Sequence, residues 1–213
     1  MFMSRVRIFA ALVAAASVAA PVAATAQDDE AETQTAQESR TDTAIAFAQE
    51  LTTQANDALT QDGASEAEKL DAFRGVLSDG LALETIGKFM LGDARKNLTD
   101  EQSERYNAVF PVYITKLYAE QFEEIIGKPL EVIDSKEIGS RDVIVRTQFE
   151  RDGESPVLVD WRIRKLRSGE HKAIDIIVQG VSIMLVKREE FSSFVASNGV
   201  DALIDRLESE AAV

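Results

Sequence analysis

Cysteine is absent from the 213-residue chain, and histidine occurs once. Without cysteine there are no disulfides, no thiolate metal sites, no cysteine nucleophile and no lipidated N-terminal cysteine. A single histidine cannot build a zinc site on two or three imidazoles. Basic residues are also few, with 23 Lys and Arg against 37 Asp and Glu, whereas nucleic-acid binding requires cations that neutralise phosphates. These shortages exclude several classes of chemistry, and we expect no metal and no cofactor.

The first 26 residues have the three-part pattern of a secretory signal peptide. Arg5 and Arg7 form a basic segment, residues 8–20 form an apolar segment, and residues 24–26 form an A-x-A cleavage site. The apolar run is too short to span a bilayer. Cleavage after Ala26 would remove both basic residues and change the net charge from −14 to −16. Because cysteine-free exported chains are common in the Gram-negative periplasm, we expect this protein to lie there.

The mature chain divides into a lead-in and one domain. Residues 27–43 contain no aliphatic or aromatic side chain larger than alanine, which predicts a disordered acidic lead-in. Residues 44–210 are long enough for one domain with a sizeable core.

Helical patterns fill the first half of this domain. Ser65 and Thr99 begin two helices through the capping pattern S/T-x-x-E/Q. Pro111 lies inside the longest apolar stripe of helical spacing and predicts a kink or a restart.

Alternating apolar and polar residues fill most of the second half. This alternation is typical of half-buried strands, and D-G and S-G pairs between the runs predict hairpin turns. Gly180 interrupts the last run, where we expect a β-bulge, and the chain ends in further helical patterns. The predicted fold class is α+β, with a curved antiparallel β-sheet packed against a mainly N-terminal set of helices.

Two readings of the polar strand positions stay open. Asp160 and Asp175 lie on adjacent predicted strands and could face each other as an acid/base pair. Alternatively, they could form ordinary cross-strand pairs with Arg146, Arg162 or Lys172 on a solvated face. No G-x-S-x-G motif or phosphate-binding glycine loop offers another catalytic option.

The apolar arc of the long helix is wider than core packing alone requires. Such an arc is typical of a helix that covers both a sheet and a pocket, although a plain core stripe has the same residue types.

Several segments resemble the MlaC family of periplasmic phospholipid-binding proteins, also known as toluene-tolerance auxiliary components of an ABC transporter. The similarity extends over most of residues 45–209, and its most specific part is the D-x-x-x-x-G-V-S pattern from Asp175 to Ser182. The other matching segments are 89–92, 99–102, 113–127, 159–162, 173–174, 187–191 and 198–203.

The resemblance implies a monomeric, non-enzymatic phospholipid carrier with a lipid pocket between sheet and helices. Its partners would be an outer-membrane lipoprotein–porin complex and an inner-membrane ABC transporter complex, and its role would be to maintain outer-membrane lipid asymmetry. The alternatives are a small periplasmic hydrolase that uses Asp160 and Asp175, and a protein-binding or chaperone module.

Residues from the long helix and from one sheet face are predicted to contact the acyl chains. We also expect the segment around Met90 and Gly92 to move with the long helix when lipid enters. The predicted lipid-binding residues are Phe110, Tyr113, Ile114, Leu117, Tyr118, Val145, Val159, Trp161, Ile163, Ile174 and Ile176.

Overall fold

The structure is a computed structural model that describes residues 25–121, 128–151 and 153–212, with side chains from residue 40 onward except that of residue 121. The chain divides into two units, Met1–Gln37 and Glu38–Val213. In the first unit, residues 25–37 are helical. The predicted signal peptide lies outside the described residues apart from its last two positions.

The described residues form six α-helices, one 3₁₀ helix and five β-strands. In chain order these are α1 Thr25–Thr60, α2 Glu66–Gly80, α3 Leu83–Leu91, the 3₁₀ helix Gly92–Asn97, α4 Asp100–Gln121, β1 Glu131–Ile138, β2 Asp142–Phe149, β3 Val157–Lys165, β4 His171–Val178, β5 Val181–Ser182, α5 Ile183–Asn198 and α6 Val200–Ala212.

The first helix begins earlier than the sequence predicts. α1 starts at Thr25 and includes residues 27–43, for which the sequence predicts a disordered lead-in. A physical reason is propensity, because eight of these 17 residues are Ala, Glu or Gln, which are strong helix formers even without an apolar face.

Both predicted capping boxes are confirmed. The Ser65 hydroxyl accepts from the backbone N–H of Glu68, and the Glu68 carboxylate accepts from the backbone N–H of Ser65. Thr99 and Gln102 exchange the same pair of hydrogen bonds, at 3.2 and 3.0 Å, where α4 begins. These side chains satisfy N–H groups that the first helical turn leaves without partners.

Pro111 does not end its helix. α4 runs through it from Asp100 to Gln121, although proline removes one backbone donor. The Thr115 hydroxyl donates to the Pro111 carbonyl at 2.7 Å. The predicted restart is therefore wrong.

The five strands form one antiparallel sheet in the order β1-β2-β3-β4-β5, which confirms the α+β prediction. Gln179 and Gly180 form the tight turn between β4 and β5, with φ angles of 50° and 82°. Positive φ at both central residues matches the twist of paired strands. The predicted bulge at Gly180 is therefore a hairpin turn, while the β4 bulge lies at Ile174, between the partners of Arg162 and Ile163.

One hydrophobic cluster holds Glu38–Val213 together. It joins side chains of all six helices to the face of β2, β3 and β4 that carries Val145, Trp161 and Ile176. The opposite face of these strands carries charged residues, among them Arg146, Asp160 and Arg162. The sheet thus has an apolar face against the helices and a charged second face, as the alternation predicts.

Candidate functional site

The predicted lipid-binding residues of α4 lie in the core. Phe110, Tyr113, Ile114 and Tyr118 are each at most 4% exposed. Leu117 is half-buried and packs against the same hydrophobic cluster. Four of the five predicted positions on the helix therefore turn fully inward.

The predicted sheet residues face the same cluster, with one exception. Buried side chains of β2, β3 and β4 belong to it, namely Val145, Val159, Trp161, Ile163 and Ile176. Ile174 is buried but lies outside the cluster, because the bulge removes it from strict alternation and leaves Ala173 opposite Ile163. The fold thus brings ten of the eleven predicted residues together in one apolar region.

A buried threonine accepts a hydrogen bond from the indole N–H of the only tryptophan in the chain. The Trp161 indole N–H donates to the Thr147 hydroxyl at 3.1 Å, and this hydroxyl donates to the Val159 carbonyl at 2.8 Å. Both side chains are at most 1% exposed. The apolar sheet face therefore carries polar atoms without the cost of leaving them unpaired. The sequence signal for Thr147 was its core-facing position between Val145 and Phe149.

Tyr118 keeps one polar atom without a partner. Its hydroxyl oxygen is buried and has no hydrogen-bond partner in the part of the chain that the structure describes. Burial raises the pKa of Tyr118, and the nearby charge of Asp175 acts in the same direction. The hydroxyl stays neutral and can donate one hydrogen bond to a ligand that reaches it.

Two clefts adjoin the predicted residues on α4. One, of about 550 Å³, lies between α3 and α4, and Tyr106 and Phe110 line it. The other, of about 330 Å³, lies between α4 and α6, with Tyr113 and Leu117 in its wall. Both volumes fall in the range of small-molecule sites.

α3 packs tightly on α4 at the larger cleft. A methyl group at Gly87 would lie 2.9 Å from the Phe110 ring, closer than side-chain carbons normally approach. The Tyr106 hydroxyl donates to the Gly87 carbonyl at 3.0 Å, and the Tyr106 and Phe110 rings stack with centroids 5.2 Å apart. The glycine lets the two helices touch along this line, next to the segment for which the sequence predicts movement.

The two candidate catalytic carboxylates hold separate partners. Asp160 accepts two hydrogen bonds from Arg146, both at 2.7 Å. In the register of the sheet, Asp160 lies opposite Ile177 and Asp175 lies opposite Arg162. The carboxylates are thus diagonal neighbours on the charged second face, which matches the cross-strand pairing alternative for Asp160.

Asp175 anchors the start of α5. Its carboxylate accepts from the Ser182 hydroxyl at 2.7 Å, and the same hydroxyl oxygen accepts from the backbone N–H of Leu185 at 3.1 Å. Ser182 is therefore the N-cap of α5, and Asp175 orients it. The D-x-x-x-x-G-V-S pattern places both residues across the Gln179–Gly180 turn, which gives this pattern a structural role.

A buried carboxylate joins two arginines on the second face. Asp142 is 3% exposed and accepts from Arg162 at 2.8 Å and from Arg164 at 2.7 Å. Burial acts to raise the pKa of Asp142, but the hydrogen bonds and charges of the two arginines outweigh it and hold the pKa below its ordinary value. This carboxylate is a structural ion-pair centre that the sequence did not single out.

The described residues offer neither a metal site nor a helix that could span a membrane. Among them, no group of three or more His, Asp or Glu side chains is placed to hold a metal ion. None of their helices combines the length and the hydropathy that crossing a bilayer requires.

Known proteins resemble this chain in both sequence and fold. The intermembrane phospholipid transport system binding protein MlaC of Haemophilus influenzae is 27% identical over 132 residues, which cover 61% of this chain and 62% of that protein. The match thus spans less than two thirds of the relative. The phospholipid-binding protein from Ralstonia solanacearum, solved in complex with a phospholipid, has a TM-score of 0.66 and 18% identity over 78% of this chain and 96% of its own. This second likeness shows the fold. The MlaC protein family matches residues 46–209, and the chain therefore belongs to the MlaC family.

Proposed function

We propose that this protein is a periplasmic phospholipid carrier. It would move lipid between an outer-membrane lipoprotein–porin complex and an inner-membrane ABC transporter complex, and so maintain outer-membrane lipid asymmetry. Family membership supports this role, and so do the two relatives, a phospholipid transport system binding protein and a phospholipid-binding protein. The observation that carries it is the continuous apolar region between α4 and the core face of the sheet.

The free energy of acyl-chain burial explains why such a region is needed. Each methylene removed from water contributes about 0.8 kcal/mol, so two chains with on the order of 30 methylenes are held in a bilayer by roughly 20–25 kcal/mol. A carrier has to offer a comparably apolar enclosure with few unpaired polar groups. The sheet side meets this requirement because the Trp161 indole N–H donates to the Thr147 hydroxyl, which in turn donates to the Val159 carbonyl.

Lipid binding requires the core to open. Side chains such as Ile114 and Val159 are fully buried, so acyl chains reach them only when α4 and the sheet separate. The cleft between α3 and α4 is the side on which we place this opening, since Phe110 lines its wall. The Tyr118 hydroxyl, which has no partner among the described residues, would then donate to an ester carbonyl of the lipid.

The first test is recovery of bound lipid. Native mass spectrometry and lipid extraction of protein purified from a Gram-negative host are expected to show co-purified phospholipid. Recovery of lipid-free protein from such a lipid-rich host would count heavily against the carrier.

The second test uses Trp161 as an internal probe of the acyl site. It is the only tryptophan and is 1% exposed, so a soluble quencher such as acrylamide cannot reach it in the folded protein. A phospholipid with brominated acyl chains is expected to quench it, whereas the unbrominated lipid with the same headgroup leaves the fluorescence intact. Equal fluorescence with both lipids would mean that the chains do not enter the core.

A further inference from the structure

A cleft of about 360 Å³ lies beside the end of α3 and the 3₁₀ helix. Four cationic side chains line it, and Asp93 is the one carboxylate among its lining residues. The cations are Lys88, Arg95, Lys96 and Arg188. Such a concentration of positive charge contrasts with the chain as a whole, whose net charge is −14. We call these four cations, together with Gly92, the basic cleft.

Arg188 is held in place at the centre of the basic cleft. Its guanidinium carbon lies 4.1 Å from the centroid of the Phe89 ring, a favourable cation–π geometry. The guanidinium also lies near the α3 terminus, since a methyl group at Gly92 would be 3.7 Å from it. The side chain is half-buried. A planar guanidinium fixed in this way is pre-organised for a bidentate anion.

Carboxylates pair with only two of the four cations in the basic cleft, among the residues whose side chains the structure describes. Lys88 pairs with Glu84, and Lys96 pairs with Asp93 at 2.6 Å. Both pairs are exposed and join residues one helical turn apart. Ion pairs of this class contribute little to stability. Arg95 and Arg188 have no carboxylate within salt-bridge distance among the residues whose side chains the structure describes.

The backbone at Gly92 brings these cations together. Its φ of +55° and ψ of −127° is a conformation that residues with a side chain rarely adopt. The turn places Arg95 and Lys96 beside Arg188, which comes from a different helix. The hydrogen bond and charge of Lys96, followed by the charges of Arg188 and Arg95, lower the pKa of Asp93. The positive charges of Lys96, Arg188 and Arg95 therefore converge on the exposed carboxylate of Asp93.

We propose that the basic cleft binds a phosphate group, with Arg188 as the fixed fork and with Arg95 and Lys96 closing over the anion. Lys96 would exchange the Asp93 carboxylate for the phosphate. Lys88 also lines the 550 Å³ cleft between α3 and α4, so the phosphate site borders a cleft with an aromatic wall. If the protein is the carrier proposed above, the phosphate belongs to a phospholipid headgroup, and this source of the phosphate rests on that proposed function. A free phosphate would supply the same chemistry.

Binding of four small probes to the folded protein tests this inference. Isothermal titration calorimetry compares dihexanoylphosphatidylglycerol, glycerol 3-phosphate, inorganic phosphate and dihexanoylglycerol. The phosphate-bearing probes are expected to bind, and the double variant Arg95→Glu/Lys96→Glu is expected to weaken them at least tenfold. Both side chains are exposed, so this variant should still fold. The matched control is Arg141→Glu/Arg167→Glu, which makes the same change of charge at two other exposed positions and should bind like the parent.

Each outcome decides a point. Tighter binding of the phosphatidyl probe than of the two small phosphates identifies a lipid headgroup, and equal affinity identifies free phosphate. The site is overturned by absent binding, by equal binding to the Arg95→Glu/Lys96→Glu variant, or by dihexanoylglycerol binding as well as the phosphatidyl probe. Absent binding of the phosphate-bearing probes to a protein that still co-purifies with phospholipid would overturn the phosphate inference alone. Lipid-free protein that binds glycerol 3-phosphate would overturn the carrier alone.

Discussion

Replacing Ser182 by alanine tests the link between Asp175 and α5. The change removes the N-cap of α5, which costs about 1 kcal/mol, and a 2.7 Å hydrogen bond to a carboxylate that is 3% exposed. Loss of a hydrogen bond to a buried charged group costs about 1.5–3 kcal/mol. The free energy of unfolding should therefore fall by about 2.5–4 kcal/mol at neutral pH.

Urea denaturation followed by Trp161 fluorescence measures this loss, and Ser65→Ala is the matched control. Ser65 caps α2 in the same way but at an exposed position, so its replacement should cost only about 1 kcal/mol. Equal losses for Ser182→Ala and Ser65→Ala would refute the reasoning, because the Asp175 bond would then contribute nothing beyond an ordinary cap.

The pH dependence adds a second check on the same pair. Burial raises the pKa of Asp175 above its ordinary value of 3.8, although the hydrogen bond from Ser182 opposes this. A raised folded-state pKa means that ionised Asp175 opposes folding at neutral pH and that this penalty fades as the pH falls towards 3.8. Asp175→Asn should therefore cost less than Ser182→Ala at neutral pH. The excess cost of Ser182→Ala over Ser65→Ala should shrink as the pH falls towards 3.8, because Asp175 gains its proton in the folded state above that pH.

Two further predictions concern the α3–α4 contact and the charged sheet face. Gly87→Ala should lower stability by about 1 kcal/mol, since crowding of Phe110 outweighs the gain in helix propensity. Gly75→Ala, with open space around it, should raise stability by about 0.5–1 kcal/mol; thermal unfolding that ranks the two variants the other way would contradict this packing. Asp142→Asn should cost about 3 kcal/mol at neutral pH. Because the arginines hold the pKa of Asp142 low, its contribution disappears as the pH falls below 3.8; a loss that does not depend on pH in urea titrations would contradict the ion-pair account.

Local signals made much of the fold predictable. The capping pattern at Ser65 and Thr99 needs only neighbours three residues away, so the sequence contains the whole interaction. Alternation in β2 and β3 likewise identified the buried face, because a side-chain period of two is a property of any strand.

Features that depend on distant partners were not predictable in this way. The bulge at Ile174 arises from the pairing of β4 with β3, and alternation alone does not indicate it. The position of Arg188 on Phe89 joins residues from two helices, and no local spacing indicates it. For the candidate site, the sequence indicated the apolar residues but not how tightly they pack, since packing is set by all the helices together.

The two edges of the sheet affect how the protein behaves when it is crowded. β1 forms one edge, with charged side chains at Glu131, Lys136 and Glu137 and a register shift at Ile133, and β5 at the other edge is two residues long. Charge and irregularity on an edge strand oppose the addition of a strand from another molecule, and a very short edge offers little to pair with. The open sheet is thereby protected against edge-to-edge aggregation, a property that the proposed carrier would require.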